Sequence, residues 1–263
     1  MSLLSVQDLS AGYSRTPVVR RISFSLEPGS VMGILGANGS GKTTLIKAIC
    51  GILPHDGSCR LDGTMLEGLS PRQIARLVSY IPQRSGISID ISVLDVVLMG
   101  FNSQLKLLEQ PTKGMTDAAM DALSCVGMAG KEHDNYLHLS EGQKQLCILA
   151  RTLVSESRLL LLDEPESALD FRHRCRMLDM IRGWVAATEG CAVVALHDPM
   201  LALNDCDKLM LLKNGEILDV LSPGEDSLEK MERMLSMVYG PVSLQLCTNR
   251  SGKKLLTMLR EEA

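Results

Sequence analysis

Residues 36–43 read GANGSGKT and fit the pattern GxxxxGK[ST]. Gly36, Gly39 and Gly41 let the backbone curl so that its N–H groups converge on a polyphosphate. Ala37, Asn38, Ser40 and Thr44 complete the candidate phosphate-contact set. A helix expected to start near Lys42 adds its positive end. Lys42 can reach β- and γ-phosphates, and the Thr43 hydroxyl can hold Mg²⁺. The alternative is a glycine-rich turn with a solvated lysine. The apolar run before the loop and the helical pattern after it favour the phosphate loop.

A second element must supply a metal ligand and a base. Leu159–Leu162 is a compact apolar run followed by Asp163-Glu164-Pro165. Asp163 at a strand end can bind Mg²⁺ directly or through water. Glu164, one residue on, is placed to polarise an attacking water. Asp163 as a simple helix N-cap is the rival. The two elements together indicate a P-loop NTPase.

Four further pieces narrow the reading. Leu139, Ser140, Glu141, Gly142 and Gln143 spell LSEGQ at a helix start and resemble the LSGGQ signature of ATP-binding cassette (ABC) proteins. Gln83 in YIPQ resembles the glutamine loop. Ser167, Ala168, Leu169 and Asp170 resemble the D-loop, and His197 in ALHD resembles the switch histidine. All four occur in the family's order, and the resemblance spans nearly the whole chain. Tyr13 resembles the aromatic that stacks on adenine, with core packing as its rival.

The resemblance implies an α/β ABC cassette: a RecA-like core, an antiparallel β subdomain and an inserted helical subdomain at about 84–155. The cassette would span 3–238, with a C-terminal tail at 239–263. ATP and Mg²⁺ are the implied ligands, with Thr43, Gln83 and Asp163 toward the metal. Glu164, His197 and Gln83 are the implied catalytic set. Two cassettes would face each other head to tail, with the signature of one closing the ATP site of the other. The helix N-terminus near Ser140–Gly142 suits that task. Asp170 would act across the dimer interface.

Two positions depart from the pattern. Glu141 stands where the signature has glycine, and a carboxylate aimed at a triphosphate would repel it by several kcal/mol in a dry site. Glu141 is therefore expected to point away, leaving Ser140 and Gly142 to make the contacts. Glu166 stands where the family commonly has threonine, and its spacing offers no role.

ISVLDVVLMG, LDFRHRCRMLDMI and LEKMERMLSMVYG resemble importer ATPases for iron chelates, haem and cobalamin. That narrower resemblance implies a motor subunit at the cytoplasmic face of the membrane. It would act on a polytopic permease dimer, fed by an extracytoplasmic binding protein. Residues 84–104 would grip the permease. Phe101, where that family often has arginine, departs from it. The rivals are a soluble ABC ATPase of the iron–sulfur assembly type and a non-hydrolysing regulatory cassette.

The elements that must position these residues are partly visible in the pattern. Ile22, Phe24 and Leu26 alternate as a strand, and Val31–Leu35 reads as a buried parallel strand. Leu45, Ile46, Ile49 and Ile52 share a helical face. Val93–Met99 and Asp117–Val126 read as helices. The segment between them reads mostly as loop, with a short helix around Leu105. Cys191–Leu196 reads as a strand. Leu209–Leu212 and Glu216–Val220 flank Asn214-Gly215 as a type I′ hairpin. Residues 226–238 read as helix, and the last twenty or so are ambiguous.

Composition agrees with a globular chain. Among 263 residues, 45% are hydrophobic and 22% charged. The net charge of −4 (27 − 31) argues against a broad nucleic-acid surface, and no nucleic-acid partner is expected. None of the eight cysteines forms a CxxC pair, so buried free thiols are expected rather than a zinc or iron–sulfur site. No leader is evident, and no apolar run approaches the ~20 residues of a membrane span.

Overall fold

The computed structural model describes residues 2–83, 86–106 and 108–261. In chain order the elements are β1 (Leu4–Ala11), β2 (Val19–Leu26), β3 (Val31–Leu35), α1 (Lys42–Ile49), β4 (His55–Leu61) and β5 (Thr64–Met65). Then come α2 (Pro71–Leu77), β6 (Val78–Ile81), α3 (Val93–Leu98), α4 (Lys113–Cys125), α5 (Glu141–Leu153) and β7 (Leu159–Asp163). The chain continues through α6 (Phe171–Thr188), β8 (Cys191–Ala195), α7 (Pro199–Asp205), β9 (Lys208–Lys213) and β10 (Glu216–Leu221). It ends with α8 (Leu228–Tyr239), β11 (Val242–Thr248) and β12 (Lys254–Arg260).

The fold is mixed α/β. The central sheet has the order β10-β9-β3-β8-β7-β6. Its neighbours are parallel except for the β9–β10 hairpin. A separate antiparallel sheet runs β2-β1-β4-β5. β3, β7 and β8 are buried at every residue, which is why they read as unbroken apolar runs.

Two cores divide the faces of that sheet. Met32, Ile34, Leu161 and Val193 pack with α1 against the antiparallel sheet. Val31, Leu35, Leu160 and Val194 pack against residues of α3, α4, α5 and α6. Between β6 and β7 the described residues form helices, 3₁₀ turns and one isolated bridge, Ser92 to Asn135.

The hairpin reading holds. Asn214 (φ 52°) and Gly215 (φ 80°) take the positive φ values that a type I′ turn requires. Other expectations need correction. Ile52 lies beyond the end of α1 and is exposed, because the helix stops at Ile49 and the chain turns at Gly51. Among the described residues, no helix forms around Leu105. Instead α4 starts at Lys113, four residues before the expected start, because the Thr112 side chain caps it. A Ser70–Gln73 capping box, with Pro71 in the first turn, starts α2. The ambiguous terminus is a hairpin, β11–β12. Five cysteines are buried, but Cys125 and Cys247 are exposed.

Candidate active site

The phosphate loop connects buried β3 to α1. Gly36 and Gly41 are demanded by close approaches, and Gly39 by its φ of 79°. A Cβ on Gly36 would stand 2.4 Å from the Leu212 carbonyl oxygen. Gly41 has φ 108°, and a Cβ there would lie 2.5 Å from Val19 Cγ1. The β9–β10 turn clamps the loop from outside, with the Gly215 N–H donating to the Ser40 carbonyl at 3.1 Å.

Lys42 is buried, and its Nζ donates to the Gly36 carbonyl at 3.0 Å. It also stands 3.6 Å from Glu164 Oε1. Ser40 Oγ is buried with no partner among the described residues. A phosphate oxygen would satisfy that orphaned hydroxyl.

Thr43 Oγ1 donates to Asp163 Oδ1 at 2.9 Å. Burial pushes the Asp163 carboxyl above its usual range, and the Thr43 hydrogen bond partly offsets this. A hard cation would compensate that buried acid, so this oxygen pair fits Mg²⁺.

Glu164 stands one residue past the end of β7 with φ 52°, a conformation costly for a residue with a Cβ and common at functional sites. Its Oε2 accepts from Gln83 Nε2 at 2.6 Å and lies 2.6 Å from His197 Nε2. Gln83 follows β6, His197 follows β8, and Lys42 begins α1. Segments far apart in the chain thus converge on one carboxylate at the C-terminal ends of adjacent parallel strands.

A cavity of about 350 Å³ opens here, lined by Val18, residues 38–44, Gln83, Glu164 and His197. Val18 is a lining residue that carries no motif. A larger cavity of about 600 Å³ lies between α7, α8 and the C-terminal hairpin and contains none of these groups. Chemistry rather than size selects the smaller one.

The remaining candidates do not line that cavity. Ser140 caps α5 in a capping box with Gln143. The Glu141 side chain is 76% exposed and pairs with Lys144 at 2.8 Å. Leu139 and Leu169 are buried, and Gly142 lies against the Ala168 carbonyl, so the signature and D-loop segments touch within one chain. Asp170 caps α6, accepting the His173 N–H at 2.9 Å and holding His173 Nδ1 at 2.8 Å. These bonds hold the Asp170 carboxyl below its usual range. Tyr13 is 64% exposed, which removes the core-packing reading, and Lys47 Nζ stands 5.9 Å from its ring centroid. Arg84 and Ser85, in the expected permease-contact segment, lie outside the described residues.

A second cluster, His55, Cys59 and Glu67, brings potential ligand atoms within 4.8 Å of one another. Its geometry has an internal explanation. Glu67 Oε1 accepts the Cys59 N–H at 2.6 Å and faces His55 Nε2 at 3.5 Å. Burial pushes the Cys59 thiol up to about 12, away from the thiolate that a metal needs.

A family model described as ABC transporter matches residues 19–167, more than half of the chain. This chain belongs to the ABC transporter family. The cassette is 36% identical over 223 residues to the hemin import ATP-binding protein HmuV of Rhizobium etli, covering 82% of this chain and 83% of that one. It is 33% identical over 258 residues to HmuV of Jannaschia sp., covering 95% and 92% of the two chains. A metal-chelate type ABC transporter solved in an inward-facing conformation has the same fold, with a TM-score of 0.82, 24% identity and 99% coverage of both chains. ABC cassettes of this family bind and hydrolyse ATP, and the cavity presents the phosphate loop that this requires. Among the described residues, no helix is long and apolar enough to cross a membrane.

Proposed function

We propose that this chain is the motor subunit of an ABC importer for haem, an iron chelate such as a siderophore, or a cobalamin-type compound. The observation that carries the catalytic part is the convergence of Lys42, Gln83 and His197 on Glu164. Glu164 is the general base that polarises the attacking water. His197 orients Glu164 and contacts the γ-phosphate. Gln83 senses the nucleotide at the edge of the helical segment. Lys42 exchanges its internal partners for the β- and γ-phosphates. Ser40 and the amides of residues 36–44 cradle the phosphates, while exposed Tyr13 stacks on adenine. Thr43, Asp163 and Gln83 would hold Mg²⁺, which when bound neutralises charge on the β- and γ-oxygens.

ATP closes a dimer of two copies. Each cavity is open, and residues 139–143 of the same chain do not line it. The capped N-terminus of α5 in the partner would supply the missing donors, with Ser140 and Gly142 facing the γ-phosphate. Residues 167–170 would meet across the interface. Hydrolysis removes the shared phosphate and releases the halves.

The importer assignment is supported by the resemblance to proteins named for hemin import and to a metal-chelate transporter fold. It places the chain at the cytoplasmic face of the membrane, bound to a polytopic permease dimer. An extracytoplasmic binding protein acts through that permease. The test is a mild-detergent pull-down of the Glu164→Gln chain held with Mg-ATP, read by mass spectrometry. Recovery of a polytopic permease supports the importer. Recovery of soluble partners alone, with none of the protein in the membrane fraction, overturns it.

A further inference from the structure

Glu166 is the charged residue that the motif spacing leaves without a task. It follows Pro165 in the turn after β7 and is 2% exposed. Its Oε1 accepts the backbone N–H of His197 at 2.7 Å, across 31 residues of chain. Its Oε2 is buried with no partner among the described residues. Burial pushes this carboxyl above its usual range, and the His197 amide partly offsets that.

The bond stands where the sheet ladder ends. β7 and β8 pair in parallel up to Asp163 and Ala195. The Glu164 N–H then donates to Ala195 O at 3.2 Å, and the Leu196 N–H donates to Ile34 O at 3.1 Å. The next amide on that strand is His197, and the Glu166 carboxylate accepts it in place of a strand carbonyl. This side chain therefore ties the loop carrying Glu164 to the loop carrying His197, and the two loops' side chains meet at 2.6 Å. A threonine hydroxyl, borne on Cβ itself, stops short of where the Glu166 oxygens reach.

We propose that Glu166 is a positioning residue for hydrolysis, holding the His197 backbone so that its imidazole faces Glu164 and the γ-phosphate of ATP. It acts through His197 and touches no nucleotide. The proposal rests on the roles given above to Glu164 and His197.

The test uses the full-length chain with Glu166→Ala and Glu166→Gln, and with Glu164→Gln in parallel. Glu166→Ala removes the acceptor. Its kcat for ATP is expected to fall about tenfold or more with KM within about twofold, because small displacements of a reacting group are costly. Glu166→Gln keeps a carbonyl acceptor and is expected to restore kcat to within about threefold of the parent. Amide exchange at His197, read by mass spectrometry, is expected to quicken in the alanine variant and match the parent in the glutamine variant. A parental kcat in Glu166→Ala, a glutamine variant as slow as alanine, or a raised KM with intact kcat each overturns the proposal. So does unchanged His197 protection in Glu166→Ala, whatever the activity. Hydrolysis that survives Glu164→Gln instead removes the role given to Glu164, a separate failure from loss of the Glu166 bond.

Discussion

The His197 imidazole and the Glu164 carboxylate meet at 2.6 Å, Nε2 to Oε2. Gln83 shares the same oxygen, and Lys42 faces the other. Glu164→Gln preserves shape but cannot take a proton from water. Hydrolysis is expected to fall by roughly 10²–10⁴-fold, the usual worth of a general base, while ATP binding persists. Steady-state ATPase assays and nucleotide titration check this. Hydrolysis within a few-fold of the parent would remove Glu164 from its role.

Lys42 spends its charge on the Gly36 carbonyl and Glu164 in this structure. Lys42→Ala removes the one ammonium among the described cavity-lining residues. ATP affinity is expected to drop about tenfold to a hundredfold, matching roughly 1.5–3 kcal/mol for hydrogen bonds to a charged group. Calorimetric titration with a slowly hydrolysed analogue measures it.

Glu141 is held outward by Lys144. Glu141→Ala is expected to change ATP affinity by less than about threefold and stability by under ~1 kcal/mol, as for other exposed pairs. A steep affinity gain in the variant, confined to low salt, would show that the carboxylate faces the triphosphate after all.

Tyr13 is exposed, so its loss should leave thermal stability nearly unchanged. Base stacking is worth about 1–3 kcal/mol, so Tyr13→Ala should raise KM for ATP roughly fivefold to a hundredfold. Tyr13→Trp should restore it. An unaltered KM in Tyr13→Ala would remove the stacking role.

Asn204 splints the C-terminal hairpin to α7. Its Nδ2 donates to Leu256 O at 2.9 Å, and its Oδ1 accepts the Leu256 N–H at 2.8 Å. Asn204→Ala is expected to cost about 1–3 kcal/mol, because it leaves part-buried backbone groups unpaired. The melting temperature should fall by several degrees while kcat stays at the parental value. Thermal unfolding with parallel ATPase assays separates the two effects.

Local chemistry was legible in the sequence wherever one short segment carries all its own parts. The phosphate loop, the buried runs of β3, β7 and β8 and the Asn214–Gly215 turn are set by residues a few positions apart. Spacing and backbone preference are enough to read them. Motif order also paired Thr43 with Asp163, which the structure joins at 2.9 Å.

Other features depend on which distant segments pack together. Ile52 satisfies the helical period, yet the chain turns before reaching it. The partner of Glu166 is 31 residues away, and the β11–β12 hairpin lies over α7 only through contacts such as Asn204 with Leu256. The sequence determined which groups could bind phosphate, metal and water, because those abilities reside in side-chain type and local spacing. Only the tertiary structure decided that Lys42, Gln83 and His197 all face Glu164 and that Glu166 holds His197. Those meetings are made by adjacent parallel strands whose order in the sheet no single segment encodes.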